Sequence, residues 1–324
     1  MVVDMEIRQI KELVDAIGAE LVETHISWVL IGDKDVYKIK KPVKFSFLDF
    51  STLARRKFFC DEEVRLNRRL SPDVYLGVTP ICRDGGLLAF GGKGEAVEYA
   101  VRMKKLDRER MMDRLLAKGK LIKGDVEGLA LTVADFHNKA EAVGGEYGSP
   151  ALISAQIADL SSHRGTIEKA CGLGKWVDEI LSRSALFIKR NEVLLTKRMS
   201  EGRIRDCHGD LHTRNVFFQG GVKIVDCIEF SKDFRAIDVA SDVAFMAMDL
   251  DYCGREDFSK NFIDAYVSKT GDTELETLLP FYKCYRANVR AKIAAIEYSM
   301  NGKEEERQRI DRYTLLASKY AKGL

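Results

Sequence analysis

Asp210, Asn215 and Asp226 are the residues of this chain whose types and spacing could do chemistry together. Asp210 and Asn215 lie in the run Cys-His-Gly-Asp-Leu-His-Thr-Arg-Asn-Val-Phe-Phe, residues 207 to 218. A Gln-Gly-Gly turn at 219 to 221 and an apolar strand, Val222 to Val225, lead to Asp226. The pattern reads as a loop, a hairpin and a second carboxylate. Phosphoryl transfer asks for a carboxylate to receive a hydroxyl proton and for hard oxygen ligands to hold the Mg²⁺ that neutralises nucleotide phosphates. Two carboxylates and an amide meet that need. His208 and His212, four apart, would suit zinc if they shared a helix, but Gly209 and the loop character argue against one. These imidazoles are expected to hold the loop through hydrogen bonds.

The elements that must position these residues come before and after them. Apolar residues at Ile7, Ile10, Val14 and Ile17 predict a packing helix that ends at Gly18. Trp28 to Ile31, a turn, and Val36 to Lys41 predict a hairpin halted by Pro42, with Val36, Lys38 and Lys40 on one face. Ser51 to Leu70 predicts a long helix with Phe58, Phe59, Val64, Leu66 and Leu70 partly buried and Glu62 and Glu63 near its middle. Val74 to Cys82 and Ala96 to Met103 read as two strands around a Gly-rich hairpin tip. Its Gly91-Gly92-Lys93-Gly94 is not a phosphate-binding loop, because no Ser or Thr follows Lys93 and Leu87 stands where the first glycine is required. Asp125 to Ala142 is a predicted helix that packs His137, and 153 to 200 read as further helices. In the helical stretch 280 to 300, Arg286 and Arg290 share a face with apolar residues. They could bind an anionic acceptor, although salt bridges to a neighbouring helix are the favoured expectation.

The run His208-Gly209-Asp210-Leu211-His212-x-x-Asn215, closed by Asp226, is similar to the motif of aminoglycoside phosphotransferases and choline kinases. These are small-molecule kinases with a protein-kinase-like fold. Tyr37-Lys38-Ile39-Lys40-Lys41-Pro42-Val43 and Ile237-Asp238-Val239-Ala240-Ser241-Asp242 resemble an uncharacterised bacterial branch of that family, whose members are often joined to a P-loop kinase domain. The resemblance implies an α+β, two-lobed fold. An antiparallel sheet with a helix would fill 1–103 as the nucleotide-binding lobe, and 104–324 would form a mainly helical lobe with the catalytic loop and substrate site. It implies Asp210 as catalytic base, and Asn215 and Asp226 as Mg²⁺ ligands. Lys38, with Lys40 as second choice, would contact the phosphates of ATP, GTP being the other option, and Glu63 would orient the lysine. No Gly-rich loop precedes the strand, so Thr24 to Ser27 would cover the phosphates instead. The backbone from Met103 to Leu106 would meet the adenine edge. Glu229 would touch a second metal ion, and Asp238 would cap a helix and steady the catalytic loop.

Composition narrows the partners. The chain has 324 residues, 46% hydrophobic and 31% charged, with a net charge of +2. That charge gives no reason to expect nucleic acid or a membrane surface, and the acceptor is expected to be a small hydroxylated molecule. Seven cysteines without a C-x-x-C pair read as reduced thiols in a cytoplasmic protein. The first residues carry Asp4 and Glu6 and no long apolar run, which does not suit a signal peptide. Two other readings stay open. A protein kinase would need Arg at Gly209, Phe-Gly at Cys227-Ile228 and a later Ala-Pro-Glu. A nucleotide-binding pseudokinase would use the same pocket without transfer.

Overall fold

The computed structural model describes residues 5–45 and 48–324. The chain divides into two compact units. The first comprises the described residues as far as Arg114 together with Asn215–Lys232, and the second holds Leu115–Arg214 and Asp233–Leu324. The architecture is an N-terminal antiparallel sheet with helices followed by a mainly helical part, as the resemblance implied.

In the first unit six strands form one antiparallel sheet in the order Glu20–Glu23, Ser27–Ile31, Asp35–Lys40, Glu95–Lys104, Tyr75–Asp84, Leu87–Phe90. Side chains alternate across a strand, so each strand supplies both faces. Ile39 and Ala100 turn to the face where Ile10 and Leu13 of the Ile7–Ile17 helix pack with Trp28, Leu30 and Ile81. Val101 turns to the other, where Cys60 and Val64 of the Leu53–Asn67 helix pack with Val74 and Tyr75. Each fully buried Leu or Ile contributes about 1.5–3 kcal/mol.

The Leu53–Asn67 helix departs from the apolar pattern read in sequence. Phe58 is 58% exposed and stacks edge-on against Phe59. The buried face carries Arg56, Cys60, Glu63, Val64, Leu66 and Asn67, so polar groups occupy core positions. Arg56 explains how: its Nε donates to Glu98 at 2.8 Å and one terminal nitrogen donates to the Phe50 carbonyl at 3.0 Å. A helix face that buries paired charge is invisible to a count of apolar residues. The Gly-rich tip also resolves differently. Leu87–Phe90 is a strand of its own between two turns, with Gly85 and Gly86 in the left-handed region at φ 57° and 90°.

The expected hairpin forms from Val216–Phe218 and Val222–Ile224, with Phe217 opposite Lys223, and belongs to this unit. Ser71 clamps it: its hydroxyl donates to the Ile224 carbonyl at 2.8 Å and accepts from the Ile224 N–H at 3.0 Å. The Gln219 side chain accepts from the Asp107 N–H at 2.8 Å.

The second unit is built on the Val239–Tyr252 helix, whose residues Val239 to Leu250 are all buried. A helix apolar nearly all round needs neighbours on every side. The long helix Leu275–Asn301 is one of them, and packs Cys284, Ala287 and Ala291 against Tyr313, Ala317 and Ala321 of Glu304–Ala321. His137, on the helix Lys123–Lys139, is packed as expected. Among the described residues no helix is long and apolar enough to cross a membrane.

Candidate active site

The first unit gathers charge from three distant segments. Lys38 and Lys40 leave one face of the strand Asp35–Lys40, Glu63 comes from the Leu53–Asn67 helix, and Asp226 and Glu229 follow the hairpin. Glu63 takes both lysines, with Lys38 Nζ 2.9 Å from Oε1 and Lys40 Nζ 2.7 Å from Oε2. Lys38 then reaches Asp226 Oδ1 at 2.6 Å, while Lys40 pairs with Glu229.

The two lysines do different work. Lys40 is fully buried and locks two carboxylates in place. The Lys38 side chain is 13% exposed and its partner Asp226 is 52% exposed, so this pair keeps access to solvent. Neither lysine is a solvated edge charge, and Glu63 is fully buried, unlike Glu62, which pairs with Arg65 at the surface.

Burial works against every charge in the cluster, and the opposing charges decide the outcome. Burial would raise the Glu63 carboxyl, but Lys38 and Lys40 outweigh it and hold it down at about 2. Burial lowers both lysines, yet Asp226, Glu63 and Glu229 push Lys38 well up, and Glu229 with Glu63 pushes Lys40 up. Glu229 is shifted upward, by burial and by the neighbouring Glu63 charge, against the pull of Lys40. Three carboxylates face two ammonium groups, which leaves the cluster short of positive charge.

Asp226 stands apart in its backbone as well. Among the described residues it is the one non-glycine with positive φ, at 64°. Such a residue costs of order 1 kcal/mol or more and is held by its surroundings. Its N–H donates to the Tyr75 hydroxyl at 3.1 Å, and the preceding Val225 N–H donates to the Asn215 carbonyl at 2.9 Å. Asn215 and Asp226 are thus tied within one unit. Hard oxygen donors, an exposed carboxylate and the cluster's charge deficit fit a divalent cation of the Mg²⁺ type. Met103, near the end of Glu95–Lys104, is flanked by Val36 and Tyr75 in the sheet. Met103 and Leu106 pack beside Cys60, Val64 and Val101, on the face of the sheet that Val101 shares with the Leu53–Asn67 helix.

Asp210 belongs to the second unit, on a loop held almost entirely through its backbone. Asp242 accepts the N–H groups of His208 and Gly209 at 2.8 and 2.9 Å, and its Oδ2 lies 3.3 Å from His137 Nε2. Asp249, two turns on, accepts both the N–H and the hydroxyl of Thr213 at 2.9 and 2.7 Å. Arg286 donates to the Gly209 carbonyl at 3.0 Å and to Ser241 Oγ at 3.1 Å. Gly209 sits at φ 84°, which is why a glycine and no larger residue precedes Asp210.

The histidines are loop supports, as expected. His208 Nδ1 accepts from the Asp210 N–H at 3.2 Å, and His212 Nε2 lies 3.3 Å from Asp210 Oδ2. The Asp210 side chain keeps 32% of its surface exposed. Burial would raise its carboxyl, but His212, Arg290 and His208 together hold it well below the usual range, so it is ionised throughout the neutral region.

Two sequence expectations change here. Asp238 does cap the Val239–Tyr252 helix, accepting the Ala240 N–H at 2.8 Å, and Arg198 grips it at 2.6 and 2.8 Å. The loop is steadied by Asp249, which no motif had singled out, and by Asp242, which ended the family-like run 237–242 without a role. Their spacing of seven on one helix carried no signal, because their partners are backbone N–H groups. Among the described residues Arg286 makes no salt bridge to Asp or Glu: it donates to the carbonyls of Gly209 and Ser241 and to the Ser241 hydroxyl. His137, Cys207 and Asp242 lie close enough to ligate a metal, but Asp242 and His137 are already engaged, the latter also with Tyr266 at 2.8 Å.

Comparison with solved structures gives the same fold. The chain aligns with the GDP complex of an aminoglycoside 2'-phosphotransferase-IIIa over 98% of each chain, with a TM-score of 0.55 at 12% identity. A choline kinase from Cryptosporidium parvum aligns over 92% of this chain and 88% of its own, with a TM-score of 0.53 at 13% identity. An ADP-bound aminoglycoside phosphotransferase, APH(2'')-Ib, aligns over 98% and 99% with a TM-score of 0.50 at 12% identity. The chain therefore has the fold of the aminoglycoside phosphotransferases and choline kinases. In sequence it is 32% identical over 305 residues to uncharacterized proteins of Mycobacterium tuberculosis and Mycobacterium bovis, covering 92% of this chain. It spans 59% of the length of those relatives. No family model matches the sequence.

Proposed function

We propose that this chain is a phosphotransferase that moves the γ-phosphoryl group of ATP to a hydroxyl of a small molecule. The observation that carries the reading is the meeting, within one unit, of Lys38, Glu63 and Asp226, with Lys38 and Asp226 188 positions apart. A strand lysine braced by a buried glutamate beside an accessible aspartate is what a triphosphate and its cation require. The same fold in neighbours solved with GDP and with ADP supports nucleotide as the donor, with ATP the first choice and GTP the second.

In this reading Lys38 meets phosphate oxygens, and Glu63 fixes its position. Lys40 keeps Glu63 and Glu229 paired so that neither is left as an uncompensated buried charge. Asn215 and Asp226 would hold Mg²⁺, whose charge offsets that developing on the transferred group. Asp210 orients the acceptor hydroxyl and receives its proton. The acceptor oxygen–γ-phosphorus bond forms as the γ-phosphorus–oxygen bond to the β-phosphate breaks, and ADP leaves with the electron pair. An Asp210 held ionised, on a loop whose backbone is already fixed, needs little reorganisation to do this.

The test is transfer of label from γ-labelled ATP into a metabolite extract. Wild type is expected to yield a labelled small molecule, and Asp210→Asn to lower the rate about 10²–10⁴-fold while still binding Mg·ATP. Equal, slow nucleotide hydrolysis by both proteins, with no labelled product, would make the chain a binding module.

A further inference from the structure

In the second unit, one cation whose charge acts on Asp210 forms no ion pair among the described residues. Arg290 lies one turn beyond Arg286 on the Leu275–Asn301 helix, so the two point to one side. Arg286 is fastened to the Gly209 carbonyl, which places this side of the helix against the residue before Asp210. Arg290 is 8% exposed, and its Nε has no hydrogen-bond partner. Among the described residues no Asp or Glu forms an ion pair with it. Its close companion is Tyr313, whose ring centroid lies 5.7 Å from the guanidinium carbon and whose hydroxyl also acts on the guanidinium. A neutral tyrosine offsets only part of what enclosing a charge costs. On the loop itself, His212 turns Nε2 to Asp210 and leaves Nδ1 buried and, among the described residues, unpartnered. Two enclosed polar atoms without partners thus flank the Asp210 loop. The charges of Asp210 and Asp249 both act on Arg290, in keeping with this placement.

We infer that Arg290 receives an anionic group of the acceptor, a carboxylate or a phosphate, while Asp210 faces the hydroxyl to be phosphorylated. The inference rests on the phosphotransferase reading and names its substrate class. A guanidinium fork matches either anion with two parallel hydrogen bonds, and a partly enclosed site strengthens them. A polycationic or quaternary ammonium acceptor would instead be repelled by this side chain.

The experiment is an NMR titration of the full chain, saturated with Mg²⁺ and a non-hydrolysable ATP analogue. It follows the arginine Nε–H resonances, with Arg290 assigned by its loss in Arg290→Lys. The probes are glycerol, glycerate, glycerol 3-phosphate and 3-amino-1,2-propanediol, which share a diol and differ in charge. A saturable shift of the Arg290 resonance with glycerate or glycerol 3-phosphate, at least about tenfold tighter than with glycerol, is expected. Which of those two binds tighter separates carboxylate from phosphate. Followed instead at the backbone N–H resonances of Gly209 and Asp210, Arg290→Met should abolish the preference for charge and Arg290→Lys should keep part of it. No shift with either anion, a preference for the amine, or a shift produced by the nucleotide analogue alone would each overturn the proposal. The titration needs no turnover, so its failure is distinct from failure of the Asp210→Asn transfer test.

Discussion

The two units hold their candidate functional groups by opposite means. In the first, side chain meets side chain: two lysines and three carboxylates pair across strand, helix and hairpin, and the sum of charges is uneven. In the second, buried carboxylates meet backbone: Asp242 and Asp249 accept N–H groups of His208, Gly209 and Thr213. Ion pairs between long side chains can exchange one partner for another, which suits a surface that takes up a charged nucleotide and its metal. Backbone N–H groups cannot move without moving the loop, which suits a residue that must be in position beforehand. On the proposed function, the first arrangement would answer to a ligand and the second would await one.

Breaking the second unit's arrangement should cost most. Asp242→Ala orphans two buried N–H groups and the His137 ring, and is expected to destabilise by roughly 3–6 kcal/mol in denaturant unfolding. Asp242→Asn should recover part of that, since one oxygen still accepts. Lys40→Met comes next: it leaves Glu63 with Lys38 alone and Glu229 unpaired, a loss of roughly 3–5 kcal/mol. Its loss of protection in hydrogen exchange should centre on the sheet. A Lys40→Met protein as stable as wild type would mean that the lysine is not the anchor of this cluster.

Acid should separate the units more gently. The Asp242 carboxyl, which burial would raise, is held at about 2 mainly by its hydrogen bond to His137 and that ring's charge, and Glu63 is also held at about 2. A depressed carboxyl gives stability that is present above its unfolded value and lost as pH falls toward its folded one. Both units therefore weaken between about pH 4.5 and 2, each carboxylate contributing on the order of 2–3 kcal/mol. Glu229, shifted upward, has the reverse sign: its protonation favours the folded state as pH falls toward 4.5. Hydrogen exchange followed downward from neutral pH should show the second unit losing protection steadily below about pH 4.5. The first should hold or gain slightly before it falls.

What could be read from the chain alone follows the range of the interactions. The hairpin ending at Asp226 and the strand that carries Lys38 and Lys40 show in local patterns of apolar and turn residues, whereas Glu63 was chosen over Glu62 by the family resemblance alone. The roles of Asp242 and Asp249 do not, because a carboxylate that accepts from a backbone 33 to 36 positions away has no sequence partner. Arg56 and Glu98, 42 positions apart, were equally hidden, and with them the reason that the Leu53–Asn67 helix buries Glu63 and exposes Phe58. Arg290 was visible as a residue on a helix face, but its missing counter-ion became visible only with its neighbours in place.

The central claim is tested most directly by calorimetric titration of Mg·ATP into wild type, Asp226→Asn and Lys38→Met, each repeated with EDTA. Wild type should bind with a clear dependence on Mg²⁺, Asp226→Asn should lose that dependence with affinity at least about tenfold weaker, and Lys38→Met should weaken binding with or without the metal. Identical affinity in all three proteins, or none in wild type, would contradict the assignment of this cluster to the nucleotide.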